Sequence, residues 1–202
     1  MELYVFGGFH DNPLHRERLT KWLEWLRDNI GNPEFIAVEA NRILFQAVIK
    51  NQRSKFVDLA INDPWLGRLP KKSLRVLSYA IAFEADTHEQ IFSGELKVVW
   101  LDEERKDLGM ILDPCSTAER YLILCQSALA ASSTRACDLK RQTPVVGAID
   151  AYITSDLNND TQAVRRTYLS PGQEADPYNR DDLWVNVLKP ILGHYSSGFG
   201  II

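Results

Sequence analysis

LYVFGGFHDNP, residues 3–13, places a short apolar run directly before two glycines, a histidine and a helix-start signal. The apolar run, Leu3–Phe6, predicts a buried strand. Asn12-Pro13 is a typical N-cap and first-turn pair for a helix, and apolar residues recur at helical spacing after it. A strand that passes through a short turn into a helix is typical of an α/β fold. The stretch therefore predicts such a fold, with His10 in the turn after the first strand.

Three further apolar runs predict the rest of the sheet: Phe35–Val38, Lys97–Leu101 and Pro144–Gly147. Each is short and rich in β-branched or aromatic residues, as expected for strands that are covered on both faces. The segments between them have helical spacing. The order predicts a mostly parallel central sheet of about four or more strands, with helices on both faces.

The chain of 202 residues predicts one α/β domain, 1–202. Between the second and third strands, helical spacing predicts a helical insertion at about 41–93. A helical tail is expected from about 151 to 202, with its last helix beginning near Asp176-Pro177 and ending or kinking at Pro190.

Composition narrows the functional classes. The formal net charge of −4 argues against a general nucleic-acid binder. No apolar run approaches the ~20 residues that a membrane helix needs, and Met1-Glu2-Leu3 does not resemble a signal peptide. Three widely spaced cysteines suggest no disulfide framework. We therefore expect a cytoplasmic protein that binds neither nucleic acid nor membrane.

Polar residues follow each predicted strand, and in a parallel sheet the carboxyl ends of the strands line the ligand crevice. His10 and Asp11 follow the first strand. Glu39, with Arg42 nearby, follows the second. Asp102 and Asp150 follow the third and fourth. Imidazole and carboxylate groups of this kind bind divalent metals, so the pattern predicts a metal site at this edge.

Five segments, in this order, resemble the TraB/PrgY-like family, whose wider relatives include the Tiki metalloproteases and the erythromycin-esterase and ChaN-like proteins. The segments are FGGFH (6–10), FIAVEANRILFQAVI (35–49), LKVVWLDEER (96–105), AERYLI (118–123) and TPVVGAID (143–150). The family shows a G-x-x-H turn, a strand ending in glutamate, a KVVLID-type strand, a helix with an E-R pair and a final VVGAGH strand. The resemblance covers about three-quarters of the chain and leaves out the tail from Ala151.

Carried over position by position, the resemblance assigns His10 to the G-x-x-H turn and Glu39 to the strand-end glutamate. Arg42 matches the basic residue that follows, Asp102 the aspartate of the third strand, and Arg120 the arginine of the helix. It implies a metal-dependent hydrolase that acts on a small-molecule or peptide substrate.

The final motif departs from the family. The chain has Gly147-Ala148-Ile149-Asp150 where the family has G-A-G-H, so an aspartate replaces the second histidine. Gly8 also stands where threonine is usual. An aspartate can bind a metal, but it shifts the preference toward harder ions. Asp150 is therefore open to three interpretations: a metal ligand, a general base, or a substitution in an inactive site.

Two functions follow. The first is a metal-dependent hydrolase in which His10, Glu39 and Asp150 hold a divalent ion, with manganese, cobalt and zinc not distinguished. Glu39 or Asp150 would be the general base, and Arg120 or Arg42 would stabilise negative charge. The alternative is a non-catalytic binding or regulatory protein on the same fold. An ion pair between Glu39 and either arginine is as compatible with the sequence as metal ligation.

The remaining polar residues favour structural roles. Asp102 opens a run of charges, 102–107, which is typical of a solvated loop. Glu119 belongs to a predicted capping box. His15 is expected to be exposed in the first turn of a helix. His88 and His194 are expected to have no functional role, and His88, four residues after Glu84, is placed on a polar helix face that meets water.

Overall fold

The computed structural model describes residues 1–7, 11–40, 42–46, 50–92, 96–102, 117–133, 138–168, 180–195 and 197–202. The strands are β1 (Glu2–Tyr4), β2 (Phe35–Val38), β3 (Lys97–Trp100) and β4 (Phe199–Ile201). The α-helices are α1 (Pro13–Asn29), α2 (Arg42–Leu44), α3 (Lys50–Ile61), α4 (Lys71–Ser78), α5 (Thr117–Ala131), α6 (Gln142–Tyr168) and α7 (Arg180–His194). Short 3-10 helices cover Leu66–Arg68, Phe83–Ala85, Thr87–Gln90 and Asp138–Lys140.

The four strands form one parallel sheet in the order β1-β4-β2-β3. Glu2 of β1 lies opposite Phe199 of β4, and Phe35 of β2 lies opposite both Gly200 of β4 and Lys97 of β3. The predicted α/β class with a parallel central sheet is confirmed.

Helices cover both faces of the sheet, as predicted. Ile36 and Val38 of β2 pack with Leu19, Leu23 and Leu26 of α1 on one face. Phe35 and Ala37 point to the other face, where they pack with Trp184, Val187 and Leu188 of α7. All four residues of β2 are buried, because a strand covered on both faces places successive side chains in two different cores.

The helices between β2 and β3 form a second, helical core with α5 and α6, which agrees with the predicted helical insertion. Its largest fully buried side chains include Phe56, Leu74, Tyr121 and Ile149. The Tyr121 hydroxyl donates a hydrogen bond to the Leu77 carbonyl, 3.1 Å away. Burial raises the pKa of the neighbouring Cys125 thiol, which lies within this core and behaves as a small apolar side chain.

The prediction of a strand at Pro144–Gly147 is wrong, because these residues lie in the first turns of α6. Val145, Ile149 and Ile153 recur every four residues and are all buried in the helical core. Proline is tolerated in the first turn of a helix, where its missing N–H has no intrahelical partner to lose. The run of valines thus has helical spacing once the residues after it are included.

The fourth strand lies instead at the end of the tail, which was expected to be helical. β4 pairs with both β1 and β2, so the segment outside the family likeness supplies a central strand. Helix α7 precedes it and continues past Pro190 to His194, so this proline does not end the helix. The predicted start of that helix at Asp176-Pro177 lies outside the described residues.

Within the described residues, no helix combines the length and the apolar character needed to cross a bilayer. The single-domain organisation and the cytoplasmic location stay predictions.

Candidate functional site

A cavity of about 300 Å³ lies at the carboxyl ends of the strands, where the parallel sheet predicts a ligand crevice. Residues just beyond all four strands line it: Gly7 after β1, Glu39 after β2, Leu101 after β3 and Ile202 after β4. Most of the lining is apolar, with Leu19, Leu23 and Trp184 supplied by the helices that cover the two faces. A largely apolar lining with a few polar groups is typical of small-molecule sites.

Backbone hydrogen bonds continue beyond the strands and align this edge. The Phe6 amide donates to the Ile202 carbonyl at 2.9 Å, and the Ile202 amide donates to the Tyr4 carbonyl at 2.9 Å. Between β2 and β3, the Leu101 amide donates to the Val38 carbonyl at 2.9 Å. Phe6, Leu101 and Ile202, which line the cavity, are therefore held in place by hydrogen bonds to neighbouring segments of the sheet.

One wall comes from the 3-10 segment before β3, which contributes Phe83, Glu84 and His88. The His88 side chain is buried, with the residue 4% exposed, and its Nδ1 has no hydrogen-bond partner among the described residues. Burial lowers the pKa of His88, although the nearby charges of Glu89 and Asp86 act in the opposite direction. His88 is therefore a neutral imidazole at pH 7 that lines the cavity.

A hydrogen bond between Asp11 and Ala82 connects the turn before α1 to this wall. Both residues have backbone dihedral angles in the left-handed region. Asp11 has φ 57° and Ala82 has φ 48°. The Ala82 amide donates a hydrogen bond to Asp11 Oδ1 at 3.2 Å. Aspartate tolerates this conformation better than alanine, for which it is strained. Such strain persists only where the surroundings hold it, which identifies the junction of turn and wall as a constrained part of the molecule.

Arg53 holds the same wall from the other side. Its guanidinium donates to both carboxylate oxygens of Asp86, at 2.6 and 3.0 Å, and to the carbonyls of Ile81 and Ala82. Arg53 and Asp86 are both buried. One side chain from α3 thus fixes the backbone on both sides of the left-handed Ala82.

The predicted site residues are only partly brought together. Glu39 lines the cavity, as its position after the second strand predicted. His10 lies outside the described residues. Arg42 and Arg120 are exposed on α2 and α5, and neither is among the described residues that line the cavity.

Asp150 lies on α6 and not at a strand end, so its predicted position is wrong for the same reason as the fourth strand. It nevertheless contacts the turn after β1. Its Oδ1 accepts a hydrogen bond from Asn12 Nδ2 at 2.9 Å and lies 3.8 Å from His15 Nε2. Asn12 Oδ1 in turn caps α1 by accepting from the Leu14 and His15 amides, as predicted from Asn12-Pro13. The described contacts of Asp150 thus stabilise the start of α1.

His15 is less accessible than its first-turn position suggested, because its side chain is only 12% exposed. Burial and the nearby Arg18 charge lower its pKa, while the charge of Asp150 raises it. Asp102 is also buried and not solvated, since its Oδ1 accepts a hydrogen bond from Trp184 Nε1 at 3.1 Å. The rest of the charge run, from 103 onward, lies outside the described residues.

The described residues do not form a metal site. No three histidine, cysteine, aspartate or glutamate side chains come together among them in a way that could hold an ion. Glu39 is on the cavity, whereas Asp150 contacts Asn12 and is not part of the lining. A meeting of His10, Glu39 and Asp150 therefore stays a prediction.

Sequence reasoning missed Glu84 and His88, two further polar side chains of the described cavity lining. Their four-residue spacing was visible but was interpreted as a solvent-facing helix surface. The segment is instead a pair of 3-10 helices interrupted at Asp86, and His88 is buried. The buried alanines and phenylalanines on either side of Glu84 and His88 are the signal that could have indicated burial.

No family model matches the chain, and neither a curated protein nor a solved structure matches it significantly. The likeness to the TraB/PrgY group stays a prediction from the sequence.

Proposed function

We propose that the protein binds a small, largely apolar ligand that carries a positively charged or hydrogen-bond-donating end, in the cavity at the carboxyl edge of the sheet. The observation that carries this proposal is a mostly apolar cavity whose described lining bears the carboxylates of Glu39 and Glu84 and the imidazole of His88. The apolar wall favours an apolar ligand body, and the few polar side chains favour an end that can hydrogen-bond to them.

The negative charge of the cavity lining supports a ligand whose polar end is positively charged or donates hydrogen bonds. Glu39 and Glu84 place two side-chain carboxylates on the described lining, which contains no lysine or arginine. An ammonium group near these carboxylates would be favoured, whereas a carboxylate ligand would be repelled. A volume of about 300 Å³ suits a compact ligand at the small end of the range for such sites.

We expect 2-phenylethylamine to bind in ligand-observed NMR, and 3-phenylpropanoic acid, of similar size and opposite charge, to bind much more weakly. Glu39→Gln and Glu84→Gln should each weaken amine binding by about tenfold, the usual value of one hydrogen bond to a charged group. The Kd measured by titration gives the comparison.

Glu24→Gln is the matched control, because Glu24 is exposed on α1 and does not line the cavity. It should bind the amine as the parent protein does. The proposed preference for a donating or cationic ligand end would be contradicted if the acid bound as tightly as the amine. It would also be contradicted if Glu24→Gln lost as much amine affinity as Glu39→Gln and Glu84→Gln.

The metal-dependent hydrolase is a second candidate, favoured by the place of Glu39 on the cavity directly after β2. The described side chains supply no cluster of metal ligands for it. The candidate rests on His10 and on the family resemblance.

Under this second candidate, protein purified without chelator should contain a divalent ion, and manganese, cobalt or zinc should raise its melting temperature. His10→Ala should lose both effects, and hydrolysis in a peptide, ester and phosphoester screen should be abolished by Glu39→Ala. No bound ion and no metal-dependent rise in melting temperature would end this candidate and leave the binding proposal intact.

A further inference from the structure

A second cavity, of about 570 Å³, lies between α3 and α4 and is lined mainly by charged side chains. Among the described residues of the lining, four are cationic and two are anionic: Lys50, Arg53, Lys71, Arg75, Asp58 and Asp86. This positive surplus stands out in a chain whose formal net charge is −4. The charge of this cavity is opposite to that of the cavity at the sheet edge, so the two sites suit different ligands.

An ion pair within the lining takes one charge of each sign out of this balance and leaves the surplus unchanged. Asp86 is already engaged by the buried Arg53 in a two-point ion pair, at 2.6 and 3.0 Å. That pair is neutral as a unit. Asp58 remains as an exposed carboxylate on the lining. The net attraction for an anion therefore comes from Lys50, Lys71 and Arg75.

These three cations have little competition from the protein itself. Lys50 Nζ lies 4.0 Å from Glu89, and both side chains are about half exposed, which makes a weak pair. Lys71 and Arg75 form no ion pair with any described residue. They stand four residues apart on α4 and so share one helix face. Two unpaired cations on one face, beside a cavity, are suited to a ligand with more than one negative oxygen.

We infer that this cavity binds a phosphorylated small molecule. Arginine and lysine are the usual partners of phosphate oxygens, and arginine can bind two of them at once. The volume exceeds that of a single phosphate ion and leaves room for the group that carries it. Ser54 adds a hydroxyl to the lining, and Tyr79 adds an aromatic ring that the guanidinium groups of Arg16 and Arg53 already contact.

Isothermal titration with inorganic pyrophosphate tests the inference on the full chain. The parent protein should bind it at one site in moderate salt. Lys71→Gln and Arg75→Gln should each weaken binding by about tenfold without lowering the melting temperature, because both residues are exposed. Citrate, an anion without phosphate, should bind more weakly than pyrophosphate.

Lys72→Gln is the control, since Lys72 is an exposed neighbour on the same helix that does not line the cavity. It removes the same charge and should leave the affinity unchanged. Absence of pyrophosphate binding, a loss in Lys72→Gln equal to that in the other two variants, or citrate binding as tight as pyrophosphate would each overturn the assignment. The inference does not rest on the amine proposal, and Glu39→Gln should leave the pyrophosphate affinity unchanged, because Glu39 does not line this cavity.

Discussion

Arg53→Met is expected to lower the free energy of unfolding by about 3–5 kcal/mol, the usual cost of removing one partner of a buried ion pair. The substitution preserves much of the side-chain length but leaves the buried carboxylate of Asp86 without its partner. It also removes the donors that the carbonyls of Ile81 and Ala82 accept from. Urea denaturation followed by circular dichroism measures the loss.

Arg75→Met is the matched control, because Arg75 is exposed and forms no ion pair with a described residue. Its effect should stay within about 0.5 kcal/mol. Replacing both partners, as in Arg53→Met with Asp86→Leu, should recover part of the loss, because no charge is then left buried alone. A single Arg53→Met variant as stable as Arg75→Met would show that the pair contributes nothing.

Gly200→Ala is expected to lower the free energy of unfolding by about 3 kcal/mol, at the upper end of the range for overpacking. Gly200 is the middle residue of β4 and pairs with Leu3 on one side and Phe35 on the other. A methyl group there would overlap the ring of Phe35, which is fully buried. The ring has little room to move, because Tyr195 stacks on it at 6.2 Å between centroids.

Gly147→Ala should have the opposite sign and raise the free energy of unfolding by about 0.5–1 kcal/mol, because alanine loses less backbone entropy in a helix. Gly147 is exposed on α6, and an added methyl group would meet no atom within 4 Å. Thermal and urea denaturation of the two variants side by side gives the comparison. A destabilised Gly147→Ala would argue against helix at this position, and a neutral Gly200→Ala would argue against the packing of β4 beside Phe35.

Local patterns were sufficient for much of the fold. The apolar run at Phe35–Val38 predicted β2 with the bounds that the structure shows, and Asn12-Pro13 predicted the start of α1. Both signals lie within a few residues of the feature that they determine. The prediction of a strand at Pro144–Gly147 was wrong because the signal that decides the structure lies outside these four residues. Four residues cannot distinguish a buried strand from the buried face of a helix, and here the residues further along decided for the helix.

The candidate site was predictable where it depends on the sheet. Glu39 was found because the end of a parallel strand is a local feature with a known position relative to the crevice. His88 was not found, because its burial depends on contacts between segments far apart in the sequence. The ionic contacts of Arg53 depend on the same long-range packing, since Arg53 and Asp86 stand on separate elements.

The place of β4 between β1 and β2 has a consequence for how the protein folds. Until Phe199 pairs with Glu2 and Gly200 pairs with Phe35, the sheet lacks its centre, and β1 and β2 each present an unpaired edge. Closing a sheet through contacts this distant in sequence is slow, and open strand edges invite association with other chains. A chain in which β4 has not docked is therefore expected to be more prone to associate with other chains than the folded protein.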